Sequence, residues 1–388
     1  MNTVSKAAVE APVTVRELTC RVDWRALLEL PATLHGSDAA WVRPLDFSRR
    51  QQWSPRHPWF EHARARCWLA RRDGEVVGSI SAQVDDLAAD ADGRRVGYFG
   101  QLEAIEDEQV FRALMTTAAE WLVGQGCRLM RGPFDLGINQ SCGLLVEGFE
   151  RPPMLMMGHA RPYYGPMLER LGLVPAIDML AYMLAPDFTP PPAMGRIVER
   201  LAGRLEVRAV AGSELRRHTG LLRELFNDAW ADNWGFVPIT EPEFTHMAAE
   251  MKPLLAPDYV QIAWFDGEPA GFIVALPNVN ELIADLDGRL LPIGWLKMLW
   301  RLKRRLATTA RVPLMGVRRR HQRGMIGGGI AFSLIERLRW PLIRDGVKMV
   351  ELSWILETNK GMRSMIESLG GHCDKRYRIY QQPLGPDA

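Results

Sequence analysis

Cysteine is scarce in this chain. The five residues Cys20, Cys67, Cys127, Cys142 and Cys373 are odd in number and nowhere spaced as C-x-x-C. That excludes a disulfide framework and a zinc knuckle, and it fits a reducing compartment. The eight histidines show no H-E-x-x-H or comparable spacing, so no metal site is expected. An excess of one charge is missing too: a net charge of +2 supplies no field for nucleic acid. No apolar run approaches the roughly 20 residues of a spanning helix. The nearest, residues 290–300, is interrupted by Lys297. Residues 1–15 lack the basic patch and apolar core of a secretory leader. Together these absences predict a cytoplasmic protein, and 388 residues suit two domains better than one.

What is present is an internal repeat. Residues 121–130 (WLVGQGCRLM) match residues 341–350 (PLIRDGVKMV): each is the end of an amphipathic helix, a glycine, then an apolar strand. Gly126 and Gly346 sit where a helix C-cap glycine belongs. Residues 168–172 (LERLG) match residues 366–370 (IESLG), and each runs into a strand. Upstream, Asp73-Gly74 and Asp266-Gly267 lie between alternating apolar runs, which predicts two β-hairpins. Each half therefore reads strand, helices, hairpin, strand, helix, strand, helix, strand: an α/β layout with a mixed sheet. The proline-rich residues 186–192 (PDFTPPP) mark the boundary, giving domains of residues 1–188 and 189–388.

The chemistry concentrates after the strand expected at residues 312–317. There the chain carries Arg318, Arg319, Arg320, His321 and Arg323, then Gly324, Gly327, Gly328 and Gly329. A helix follows with Ile330, Leu334, Ile335, Leu338 and Leu342 on one face. Strand, basic glycine loop and helix N-terminus together bind phosphate: small residues let the backbone approach, and N–H groups and dipole face the anion. The plain alternative is a glycine loop beside a solvated basic face. The corresponding stretch of the first half, residues 101–109 (QLEAIEDEQ), is acidic and lacks glycine, so it repels a pyrophosphate.

This segment resembles the GNAT (N-acetyltransferase-like) superfamily, which carries Q/R-x-x-G-x-G/A at such a turn and holds the CoA pyrophosphate there. With Arg323 first, Gly328 takes the last position, but Ile326 stands where the family has a glycine. The resemblance implies tandem GNAT-like domains, each a mixed, mostly antiparallel sheet flanked by helices, the first copy degenerate. It implies acyl-CoA as co-substrate, with Val317 and Arg318 on the pantetheine arm and Asn359 matching an asparagine common after the next strand. The family's thiolate-protonating tyrosine is replaced by Ile366, leaving Tyr377 and Tyr380 as substitutes. The WADNWGF, ELSWILETN and RYRIYQ stretches, with GP…N…GLLVEGF and PYY…LG in the first half, resemble double-GNAT bacterial proteins that include bacterial ceramide synthases. That implies a long-chain acyl-CoA donor and a sphingoid-base amine.

Acyl transfer to an amine needs a base for the ammonium and support for the oxyanion. Glu357, at a strand end, is the first candidate base and His321 the second; Asn280 is a candidate for orienting the acceptor. Trp230, Asn233 and Trp234, with Trp354, are candidates for lining its pocket, although core packing is the usual role of tryptophan. Residues 290–306 (LLPIGWLKMLWRLKRRL) form a basic amphipathic helix on paper, suited to the inner membrane face, to a lid over a long-chain substrate, or to packing on the core. Three other activities compete: acetylation of a small polar amine or peptide, acyl-CoA binding without turnover, and tRNA-dependent aminoacyl transfer, which the small net charge disfavours.

Overall fold

The computed structural model describes residues 11–210, 214–256 and 258–385. The first half runs β1 (Thr14–Glu17), α1 (Arg21–His35), α2 (Asp46–Gln52), β2 (Ala63–Arg72), β3 (Glu75–Asp85), β4 (Val96–Ala104), α3 (Glu108–Gly124), β5 (Leu129–Gly132), β6 (Leu144–Glu147), α4 (Tyr164–Arg170) and β7 (Val174–Leu184). The second runs α5 (Pro192–Leu201), β8 (Leu205–Ala209), α6 (Leu215–Trp230), α7 (Glu241–Met251), β9 (Val260–Phe265), β10 (Glu268–Pro277), α8 (Val279–Ile283), α9 (Gly294–Lys303), β11 (Thr309–Val317), α10 (Gly324–Arg344), β12 (Met349–Leu356), α11 (Lys360–Ser368) and β13 (His372–Pro383).

The local signals have physical causes that the backbone displays. Both D-G turns place two consecutive residues at positive φ (Asp73 51°, Gly74 85°; Asp266 50°, Gly267 81°), the twist that closes a two-residue hairpin. Gly126 and Gly346 each end a helix at φ 82°. On α10 the five apolar residues expected on one face are all buried. Each contributes about 1.5–3 kcal/mol by leaving water.

Where separate sheets would satisfy the repeat, the strands form one sheet, in the order β1-β2-β3-β4-β5-β13-β7-β12-β11-β10-β9-β8, with β6 beside β13. From either edge inward the pattern is the same: antiparallel neighbours, then a parallel pair (β4/β5 or β11/β12), then an antiparallel closing strand. The closing strands are exchanged. β13, from the second half, closes on β5, and β7, from the first, closes on β12. The side chains follow: Tyr377, Ile379 and Tyr380 join the core under α3, while Leu180, Tyr182 and Leu184 join the core under α10. A third cluster packs α6 and α7 on the opposite face of β9–β11.

Candidate active site

The parallel pair of the second half is zipped only from Thr309–Met349 to Val312–Leu352. Beyond that step β11 keeps β10 on one side, while Ile355 and Leu356 of β12 turn to β7. The two strands thus part in a V, leaving residues 313–317 with an unpaired edge toward β12. Peptide groups on such an edge can hold an extended, amide-bearing ligand.

At the mouth of the V the chain makes a 3-10 turn (Arg319–His321) and enters α10 at once. The glycines are therefore the first turns of the helix rather than a loop before it. The N-cap Arg323 makes no capping bond and, among the described residues, no ion pair, so the first amides of α10 are uncapped. A Cβ on Gly327 would meet His321 O at 2.3 Å and one on Gly329 would meet Leu201, whereas Gly328 faces open space. Packing explains two of the glycines; access explains Gly328. In the first half the equivalent helix start is already occupied by an anion: Asp107 caps α3 by accepting from the Gln109 and Val110 amides (2.8 and 3.2 Å) and pairs with Arg72.

The arginines divide. The Arg319 amide donates to Asp228 (2.8 Å) and its guanidinium pairs with Asp232 (3.2 Å). Arg320 pairs with Glu268, and Arg318 Nε donates to the Pro269 carbonyl (2.9 Å). These arginines build the turn, and Arg323 is left exposed toward solvent. His321 packs edge-on against Phe265 (5.3 Å), and burial, with Arg320 beside it, lowers its pKa. Gln322 ties the turn to the Ala229 and Val317 carbonyls, which brings the end of α6 to the cradle. Trp230 lies there against Gly316, stacked on Phe226 (4.6 Å).

Three of the other anticipated residues, Glu357, Asn280 and Tyr380, bond from one half to the other. Glu357 accepts from the Asp178 amide of β7 (3.1 Å) while its own amide donates to the Asp178 carbonyl (3.0 Å). Asn280 donates to the Pro153 carbonyl (2.8 Å). Tyr380 is buried in the first half's core and donates to Glu169 (3.0 Å), and burial pushes its phenol up to about 12. Asn359 caps α11 by accepting from the Met362 amide (3.1 Å), and Ile366 is fully buried. Asn233 is exposed, and Trp234 lies under the Arg131 guanidinium (4.7 Å). The structure thus gathers Val317, Arg318, His321, Arg323, Gly324, Gly327, Gly328, Gly329 and Trp230 at the V; Glu357 and Asn359 directly follow its β12 arm and make structural hydrogen bonds there, while Asn280 and Tyr380 bond across the two halves.

Sequence reasoning named Trp354 and Tyr377 but missed the charged pair near them, at the foot of the V on the sheet face away from α10. Arg311 and Glu351 face each other across the parallel pair (Nε–Oε1 3.5 Å), both essentially inaccessible. Arg311 Nε donates to Ser353 Oγ (2.9 Å), Ser353 Oγ donates to Glu351 Oε1 (2.7 Å), and Arg311 Nη1 donates to the Leu155 carbonyl (2.8 Å). The guanidinium lies over the Trp354 ring at 4.7 Å. Burial holds the Glu351 carboxyl above the usual carboxylate range, against the pull of Arg311. Burial also raises the Tyr377 phenol, with Glu351 adding to it. Four buried atoms here have no partner among the described residues: Arg311 Nη2, Glu351 Oε2, Trp354 Nε1 and Tyr377 Oη. Each such orphan costs about 1–3 kcal/mol. Among the described residues no group of three His, Cys, Asp or Glu side chains is placed to hold a metal ion.

With this geometry in view, comparison with known proteins is decisive. The chain is 43% identical over 371 residues to Protein YghO of Escherichia coli K12, spanning 95% of each. It is 40% identical over 380 residues to the bacterial ceramide synthase of Caulobacter vibrioides, spanning 97% of this chain and 99% of that one. The sequence model of the acetyltransferase (GNAT) family matches residues 27–132.

The chain belongs to the GNAT family.

Among solved structures it is similar to a tandem GNAT protein from the clavulanic acid biosynthesis pathway (TM-score 0.56, 15% identity, 96% and 99% of the two chains). It is also similar to a GCN5-related N-acetyltransferase from Sphaerobacter thermophilus (TM-score 0.52, 16% identity, 96% of each). At that identity the likeness shows the fold, tandem GNAT. The chain is therefore an N-acyltransferase of the double-GNAT group, and GNAT acyltransferases use acyl-CoA as co-substrate. The family model falls on the half whose helix start is capped by Asp107; the uncapped GNAT helix start is in the other half.

Proposed function

We propose that this GNAT protein is an acyl-CoA-dependent N-acyltransferase that acylates the amine of a long-chain sphingoid base, giving a ceramide-type amide. The observation that carries the reading is the uncapped N-terminus of α10 at the mouth of the β11/β12 V, with Arg323 unpaired among the described residues and Gly328 open. The backbone amides and Arg323 would hold the CoA pyrophosphate, and the open edge of residues 313–317 the pantetheine amides. The Caulobacter relative, a bacterial ceramide synthase, supports a lipidic acceptor. The division into copies at residue 188 belongs to this reading, with the first copy retained for its walls rather than its cradle.

The α9 region supports a role on lipid. Only Gly294 of this helix is buried, and Leu291 and Ile293 before it are 78% and 70% exposed. Its basic face is only partly paired: Lys297 and Arg301 share Asp285, and Arg305 shares Asp345 with Arg344. The helix lies at the far end of α10 from the cradle, roughly 30 Å away for 21 residues at 1.5 Å each, so it is no lid on the phosphates. In this reading it seats the protein on the inner membrane face. No helix among the described residues is long and apolar enough to cross a membrane.

Calorimetric titration with CoA, acetyl-CoA and palmitoyl-CoA, on wild type and Arg323→Glu, tests the cradle. The expected result is tight palmitoyl-CoA binding that the charge reversal abolishes. Equal binding of acetyl-CoA would favour a small-amine substrate. Absence of any CoA binding would overturn the reading.

A further inference from the structure

The cluster at the foot of the V has more polar capacity than the protein itself uses. Three of its four unpartnered atoms belong to residues that adjoin one another, since Arg311 faces Glu351 and covers the Trp354 ring; the Tyr377 phenol, on β13 beyond β7, feels the charges of Arg311 and Glu351. Other polar groups nearby are spoken for. Lys375 Nζ donates to the Gly148 and Arg151 carbonyls, and Ser353 bridges Arg311 and Glu351. At the end of the other parallel pair, β4/β5, the Phe134 amide donates to the Phe99 carbonyl (2.8 Å) and Tyr98 and Phe134 stack edge-on at 4.8 Å, so that pair stays joined where this one opens.

The orphans specify a complement. Arg311 Nη2 and Trp354 Nε1 are donors and need oxygen acceptors. Glu351 Oε2 is an acceptor and needs an N–H or O–H. Tyr377 Oη can serve either way. A plain alkylamine satisfies Glu351 and leaves the two donors unmet. A molecule carrying hydroxyl oxygens beside its amine satisfies all four. The internal Arg311–Glu351 pair is already neutral, so an amine entering in its uncharged form leaves no buried charge uncompensated, whereas a protonated one would add an unpaired positive charge.

We infer that the Arg311, Glu351, Trp354 and Tyr377 cluster is the subsite that receives the acceptor's head group, and that it selects an amino alcohol over a simple amine. This rests on the acyltransferase reading above: the head group then lies at the foot of the V whose mouth holds the phosphates. The four residues come from three strands, β11, β12 and the exchanged β13, so the cluster is assembled only in the complete sheet.

The test is calorimetric titration of the full-length protein with a short-chain, soluble 2-amino-1,3-diol and with the matching amine that lacks hydroxyls. Wild type, Tyr377→Phe and Trp354→Phe are compared, with palmitoyl-CoA titrated in parallel. The expected result is that the diol binds wild type at least tenfold more tightly than the amine. Each substitution should then weaken the diol about tenfold, the worth of one hydrogen bond, while palmitoyl-CoA binding is unchanged. Equal binding of diol and amine, diol affinity unchanged in both variants, or no binding of the diol would overturn the inference and leave the cluster filled by water only. Failure of wild type to bind palmitoyl-CoA is a separate result: it sinks the acyltransferase reading, while the diol series still decides the subsite.

Discussion

His62, just before β2, and Glu243, on α7, join the two halves: His62 Nε2 stands 3.1 Å from Glu243 Oε2, while its Nδ1 lies 2.9 Å from Asp85. Burial works against charging this imidazole, but the two carboxylates prevail and its pKa is raised. A raised folded-state value means the contribution is fully present below the ordinary histidine range, near 6.5, and is lost as pH rises through the folded value. His62→Gln should therefore cost roughly 1–3 kcal/mol at pH 5–6, shrinking toward alkaline pH. Chemical denaturation of both proteins across that range checks it; a difference that grows with pH would contradict the assignment.

Asp178 makes the opposite pH prediction. It accepts from Arg378 Nε (2.8 Å) and Nη2 (3.0 Å) and from Arg376 Nη1 (2.9 Å), binding β7 to β13. Burial raises its pKa, but the two arginines outweigh that and hold the carboxyl below its usual range. Its stabilisation is present above the unfolded value near 3.9 and is lost as pH falls through the lower folded value. Asp178→Asn should cost about 2–3 kcal/mol at neutral pH and flatten the acid limb of the stability curve.

The glycines of α10 should separate by role. A Cβ on Gly327 collides with backbone, so Gly327→Ala should destabilise the fold. Gly328 faces open space inside a helix, so Gly328→Ala should raise stability by up to about 1 kcal/mol. The family pattern accepts alanine at this position, so acyl-CoA binding should survive the methyl, whereas Gly328→Glu, which puts a carboxylate where the phosphates would approach, should lose it. Melting curves beside CoA titrations give both answers; a Gly328→Glu protein that binds normally would move the cradle elsewhere.

The α9 surface predicts vesicle binding that depends on insertion rather than on charge. Leu291→Asp with Ile293→Asp should abolish co-sedimentation with anionic vesicles and leave the melting temperature unchanged, because both side chains are exposed. Binding of the wild type should survive about 1 M salt, where the screening length is about 3 Å, since the exposed Leu291 and Ile293 side chains would carry the insertion. Loss of binding in salt would instead indicate an electrostatic contact.

Much of this architecture is written locally. The D-G hairpins, the C-cap glycines and the apolar face of α10 are short-range signals, and a chain shows them before it folds. The exchange of β7 and β13 is invisible at that level, because either strand satisfies the same antiparallel position beside either parallel pair. Glu357, Asn280 and Tyr380 were plausible for the reason that they are useful: polar groups at strand ends and in apolar segments, spent on tying one half to the other. Arg311 and Glu351 did leave a trace. Each is a single charge inside an apolar strand, between Ala310 and Val312 and between Val350 and Leu352, and the charges are opposite. Two such interruptions on strands expected to be neighbours are a pairing signal.

The exchanged closing strands also set a timetable. The first half is made first, yet the strand that completes its core, β13, occupies residues 372–383. Through synthesis of everything between, β5 presents an unfinished edge, and an unfinished edge invites the wrong partner. Neither half can be cut out and expected to work alone, because each would leave with its partner's last strand and without its own.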